Sequence, residues 1–201
     1  MKRVAFGFRV HTGWAALVAV QGPVSLDSPV ILDRRRVEMM EGGKPEAPAF
    51  VYHAAAKLPL KSAEQLVQRA AELAKSHASA AVESAMRELS QAEHTVVASG
   101  IVAGKRPVEL PSLEKILAAH PLIHLAEGEL YRQAVIAASQ SLKLSVTTIP
   151  AGDLYARASR TLGHPVESIR RRLAEMGRRV GTPWTVDQKE GLLAALLALA
   201  G

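Results

Sequence analysis

The chain has 201 residues, with 25 lysines and arginines against 19 acidic residues and a formal charge of +6 at pH 7. Apolar residues make up 48% and charged residues 22%, a composition that folds around a core and excludes general disorder. The absence of cysteine excludes a disulfide framework, a thiolate zinc site and a cysteine nucleophile. No apolar run reaches the roughly 18 residues of a membrane helix, and the longest, 192–200, reads as a packed terminal helix. Arg9, His11 and Thr12 interrupt the stretch that follows the basic N-terminus, so neither a signal peptide nor a membrane partner is expected. The cytoplasm is the expected compartment.

The first third reads as strands. Residues 4–20 are rich in small and β-branched side chains, with Gly7 and Gly13 among them; Gln21-Gly22-Pro23 marks a turn, and residues 29–39 (PVILDRRRVEM) form a further strand. Residues 41–49 (EGGKPEAPA) are expected to be a flexible loop, and 50–56 stay open between a strand end and a helix start. Residues 62–90 repeat apolar side chains with a 3.6-residue period, and Ser62 and Gln65 have capping-box spacing, which predicts a long amphipathic helix. Residues 94–103 (HTVVASGIVA) have the apolar run of a strand covered on both faces. A loop over 104–111 follows, then a short helix from Pro111-Ser112 to about His120 and a longer one from Pro121 to about Leu142. A strand over 145–149 and helices over 153–161, 165–180 and 185–200 complete the chain. Gly163 ends the first of these helices, Pro165 suits the first turn of the second, and Thr185 and Gln188 have capping-box spacing in the third. Early antiparallel strands followed by α/β alternation predict a mixed sheet with helices on its faces.

The segment Phe6-Gly7-Phe8-Arg9-Val10-His11-Thr12-Gly13-Trp14-Ala15, above all Thr12-Gly13-Trp14-Ala15, resembles the strand, glycine-rich turn and strand that open bacterial Holliday-junction resolvases. Residues 132–163 resemble that family's later helix–strand–helix passage, and residues 187–199 its C-terminal acidic helix. The resemblance covers most of the chain as an order of elements. It implies a single ribonuclease H-like α/β domain over residues 1–201. Its first strands would be antiparallel and its later ones parallel, with residues 151–201 as a C-terminal helical part. It also implies a bacterial protein associated with DNA or RNA.

Active members of that fold hold two divalent metals about 3.5–4 Å apart with carboxylates from the first strand, the fourth strand and the C-terminal helix. Here Phe6 stands at the first-strand position, and no Asp or Glu precedes Asp27. The fourth strand offers only Glu93, just before it, and Ser99. Asp187 and Glu190 remain, one turn apart, as the candidate metal ligands; Mg²⁺ or Mn²⁺ is expected only if they form a residual site. The resemblance therefore implies a degenerate nuclease fold. The two carboxylates also have an ordinary reading, since acidic residues in a first turn complement the helix dipole.

Three polar clusters compete for function. Residues 120–132 (HPLIHLAEGELYR) hold His124, Glu127, Glu129 and Arg132, the candidate catalytic residues of a site moved away from the ancestral one. In an unbroken helix His120, His124 and Glu127 share a face and suit a transition metal, but Pro121 as the first helical residue would leave His120 as a cap off that face. Glu129 and Arg132 equally make an ordinary i, i+3 pair. The second cluster is Arg34-Arg35-Arg36, where alternation sends Arg34 and Arg36 to one face, toward phosphate, and Arg35 to the other, toward Glu38 or a carboxylate of the long helix. Charged protection of an edge strand is the bland alternative. The third is the run from Arg157 to Arg179, seven arginines against two glutamates, in which Arg171 and Arg178 share one helical face and Arg172 and Arg179 a neighbouring one. Such a stripe tracks a nucleic-acid backbone or simply faces solvent. His11, beside the Thr12-Gly13 turn, and Tyr52-His53 are weaker candidates.

Three functional readings follow: a non-catalytic or highly divergent nucleic-acid-associated protein; an enzyme built on His124, Glu127, Glu129 and Arg132 near His11 or Tyr52; and an interaction protein that forms a homodimer through apolar helix faces.

Overall fold

A computed structural model describes residues 2–40, 48–104 and 109–201. Small and β-branched residues at the start form two long strands, β1 (Lys2–His11) and β2 (Trp14–Gln21), joined through Gly13 at φ 82°. β3 (Val30–Glu38), β4 (His94–Ala103) and β5 (Ser145–Pro150) complete a five-stranded sheet of order β3-β2-β1-β4-β5. β1, β2 and β3 are antiparallel, whereas β4 and β5 run parallel to β1.

Period-2 alternation divides the sheet's side chains between two cores. Val4, Phe6, Phe8, Leu17 and Ile101 meet α1 (Val51–Ala55), α2 (Leu60–Gln91), α3 (Leu113–Leu117) and α4 (His120–Ser141) on one face. Ala5, Val18, Val20 and Val102 meet α5 (Leu154–Leu162), α6 (Val166–Val180) and α7 (Val186–Ala200) on the other. β4 is covered on both faces, as its apolar run predicts.

Local signals at the helix ends hold in part. Thr185 and Gln188 close a capping box on α7, and Gly163 ends α5 at φ 69°. Ser62 caps nothing: α2 starts two residues earlier, at the exposed Leu60, with Pro59 as its N-cap. Pro165 is the N-cap of α6 rather than a residue of its first turn. The N-cap of α4 is Ala119, so His120 lies inside the helix and Pro121 occupies its first turn. Most of the loop expected over 41–49, and residues 105–108 of the loop expected over 104–111, lie outside the described residues.

Helix α7 lies directly against the backbone of the sheet centre. A Cβ at Gly7 of β1 would stand 1.8 Å from the Gly191 carbonyl oxygen, and one at Gly100 of β4 would stand 2.0 Å from that of Ala194. Neither obstacle is a side chain that can rotate away. Gly100→Ala should therefore lower stability by about 3 kcal/mol or more, roughly 6–12 °C in Tm, the upper end for an overpacked core. Gly128 in α4 has nothing within 4 Å of a built Cβ, so Gly128→Ala should raise stability by about 0.5–1 kcal/mol. Thermal and urea unfolding of the two variants checks the contrast.

Candidate functional site

The seating of α7 brings its first turn to the carboxyl end of β1. The capping box orients that turn, in which the Asp187 amide donates to Thr185 Oγ1. Asp187 and Glu190 there face the side chains of His11 and Arg9. His11 Nε2 donates to Asp187 Oδ1 at 2.8 Å, and Arg9 Nε lies 2.8 Å from Glu190 Oε2 as a close ion pair without hydrogen-bond alignment. Burial pushes the Glu190 carboxyl above its ordinary range; Arg9 opposes this, Asp187 adds to it and His11 opposes it. Trp14 stacks on His11 with centroids 4.3 Å apart, and the Arg36 guanidinium lies 3.7 Å over Trp14 while pairing with Glu38.

This donor set does not fit two divalent metals. Phe6 is fully buried in the α1–α4 core, and Phe8 packs edge-on to it. Ser99, paired with Phe6 across β1 and β4, is buried with no partner for its hydroxyl. Glu93 sits at the opposite end of β4, exposed, where its carbonyl accepts the Lys2 amide. Asp187 and Glu190 remain, beside His11 and Arg9 respectively, whereas Mg²⁺ requires near-octahedral oxygen coordination.

The candidate residues of α4 separate onto different sides of that helix. Glu127 is 2% exposed and turns inward, beneath α1. Its carboxylate accepts the backbone amides of Val51, Tyr52 and His53 at 3.1, 2.9 and 3.2 Å, and the His53 ring nitrogen Nδ1 at 3.1 Å. Burial, and secondarily the Glu127 charge, raises the Tyr52 and Tyr131 hydroxyls above their usual range. Glu129 pairs with Arg132, whose guanidinium is desolvated and correspondingly lowered in pKa, beside Gly104 at the end of β4. The pair borders a cavity of about 370 Å³ that Ala103, Gln133, Ile136 and Thr148 also line. His124 points elsewhere, with His120 and His53. Thus α4 is unbroken and His120 and His124 share a face, but Glu127 leaves that face and His53 takes its place.

The arginines also divide. Arg34 is committed internally, its guanidinium donating to the carbonyls of Val180, Gly181 and Pro183 at 2.5, 2.9 and 2.8 Å. Arg35 turns to the opposite face and pairs with Asp33 and with Glu88 of α2, which holds the exposed Glu88 carboxyl down at about 2. Arg172 pairs with Asp27 at 2.5 Å. Arg36, Arg171, Arg178 and Arg179 are exposed.

No protein-family model matches the chain, and no curated protein matches it in sequence. Solved structures do match. Thermus thermophilus RuvC in complex with Holliday junction substrate aligns over 97% of this chain and 91% of its own, with a TM-score of 0.52 at 13% identity. A further T. thermophilus RuvC structure aligns over 96% of this chain and 92% of its own, with a TM-score of 0.50 at 14% identity. The fold is ribonuclease H-like.

Two participants are hard to see in sequence. Arg9 reads there only as an interruption of an apolar stretch, and nothing ties it to Glu190. His53 stands 67 residues from His120, and its neighbour Tyr52 is the sole local hint.

Because burial raises the Glu190 carboxyl, the folded state binds its proton more tightly than the unfolded chain does. Its contribution to stability is therefore greatest below the ordinary glutamate value of about 4.3 and falls as pH rises through the raised folded value. Glu190→Gln should gain on the parent between pH 4 and 7, and urea unfolding at both pH values measures that gain.

Proposed function

We propose that this protein binds nucleic acid, DNA or RNA, through its ribonuclease H-like fold without the two-metal cleavage chemistry of that fold. The observation that carries the reading is the charge arrangement at the end of β1, where Arg9 and His11 face Glu190 and Asp187. Side chains there balance the carboxylates, leaving no oxygen cage for metal ions. The neighbouring surface is cationic. Arg34 ties the end of α6 to β3, which sets the exposed Arg178 and Arg179 of the last turn of α6 beside the strand that carries Arg36. Guanidinium groups suit bidentate contact with phosphate, and a net charge of +6 favours a polyanion. The likeness to RuvC, solved with a junction substrate, supports the same class of partner. In this reading residues 1–201 act as one domain of a bacterial cytoplasmic protein, and Arg34 and Arg172 support the surface rather than contact phosphate.

Fluorescence anisotropy with labelled four-way-junction, duplex and single-stranded probes, DNA and RNA, across a salt series with Mg²⁺ tests the reading. Salt-sensitive binding without strand cleavage is expected. Charge reversal of Arg178 and Arg179 together should weaken every probe to a similar degree and reduce the salt slope by about 2, roughly one for each phosphate that is no longer neutralised. Absence of binding at low salt overturns the reading, and cleavage in Mg²⁺ overturns its non-cleaving half.

A further inference from the structure

Glu127 is a buried carboxylate whose hydrogen bonds among the described residues all serve α1, and His53 is the one side chain among those partners. Because a carboxylate can only accept, the 3.1 Å contact puts the proton of His53 on Nδ1 and leaves Nε2 as a lone-pair nitrogen. This is how second-shell carboxylates fix the tautomer and orientation of a metal-ligating histidine.

His53 does not stand alone. One turn apart at the start of α4, His120 and His124 project from the same face, and one ligand atom from each of the three residues lies within 4.8 Å of the others. The ring centroids are 4.4–5.4 Å apart, and the ring planes are inclined by 65–86° to one another. Three mutually inclined imidazoles form a tripod rather than a stack. His120 and His124 are exposed, so their rotamers are free to close the gap to the about 3.3 Å nitrogen spacing that a tetrahedral ion with bonds of about 2.0–2.1 Å requires. Phe50, 57% exposed, packs its edge on His53 and gives the tripod an apolar flank.

We propose that His53, His120 and His124 form a binding site for a divalent transition metal of the zinc class, with Glu127 orienting His53 and the remaining coordination position open to solvent. An all-imidazole donor set selects zinc, cobalt, nickel or copper over magnesium or calcium, which prefer oxygen. Three protein ligands with an open position are the pattern of reactive rather than purely structural zinc sites. The site is independent of the nucleic-acid reading. The other four histidines are occupied elsewhere: His11 on Asp187, His77 on the Met39 carbonyl, His94 on Gln21 and His164 beside Asp27.

The test is titration of the tag-free full chain with Zn²⁺ by calorimetry and with Co²⁺ by visible absorption, with Mg²⁺ as the control. One equivalent of Zn²⁺ or Co²⁺ should bind, Co²⁺ should show the ligand-field bands of a low-coordinate nitrogen site, and Mg²⁺ should not compete. The double variant His120→Ala/His124→Ala changes only exposed side chains, so it should fold as the parent does and lose at least 100-fold in affinity. Glu127→Gln should weaken binding by about 10–100-fold, the usual cost of losing such a partner. Failure of the parent to bind Zn²⁺ or Co²⁺, or undiminished binding by the histidine double variant, overturns the proposal.

Discussion

The direct contact of helix α7 with the backbone of β1 and β4 governs the arrangement of this protein. Gly7 and Gly100 remove the side chains that would otherwise hold a helix away from a sheet, and the carbonyls of Gly191 and Ala194 come to rest where Cβ atoms would be. This seating places the first turn of α7 at the end of β1, so it decides which residues can meet there. A helix carried at an ordinary stacking distance would leave Asp187 and Glu190 in solvent. Here Glu190 is partly desolvated, and the cost of that desolvation is offset only in part by Arg9. The same seating buries residues 191–198 of α7 almost completely, which explains why that helix is apolar all round rather than amphipathic.

Arg9 and its neighbour His11 are the physical counterpart of the missing carboxylates. A carboxylate pair next to the end of a strand needs positive charge, and either bound metal or protein side chains can supply it. Arg9 supplies it within β1, and His11, hydrogen-bonded to Asp187, is held in turn by stacking on Trp14, whose ring also receives Arg36. Arg34 has a comparable constructive role, since its guanidinium satisfies carbonyls at the end of α6 that the helix itself cannot. Arginines that look alike in sequence therefore do different work according to the strand face on which they fall.

Much of the fold is legible in the sequence because its signals are local or periodic. The small and β-branched residues of β1 and β2, the 3.6-residue repeat of α2, the continuous apolar run of β4 and the capping box of α7 each depend on residues within one element. The candidate site is legible only piecewise. Glu129 and Arg132 pair as their spacing predicts, because i, i+3 neighbours on a helix meet wherever the helix lies. Spacing alone puts Glu127 on the face of His124, yet three further residues along α4 carry it round toward the core, and no local pattern says which side of a weakly amphipathic helix is buried. The pairings Arg9–Glu190, Arg34–Val180 and His53–Glu127 join residues far apart in the chain, and spacing carries no information about them.

The histidine cluster and the carboxylate pair of α7 meet the sheet at the same end. Ala49, at the entry to α1, stands against Gly13 in the β1–β2 turn and accepts the Tyr131 hydroxyl of α4 at 2.5 Å. α1 is thereby pinned between that turn and α4, and Glu127 completes the pinning by taking three successive amides of the helix. A five-residue helix has little stability of its own. Its position follows from a buried carboxylate whose four hydrogen bonds among the described residues are all to α1, and the side chain this arrangement orients is His53. A carboxylate that served only to cap a short helix would have no need of the imidazole, and an imidazole that served only to pack would have no need of a fixed tautomer. The two requirements coincide when a third partner approaches the far nitrogen of the ring, on the side where His120 and His124 stand.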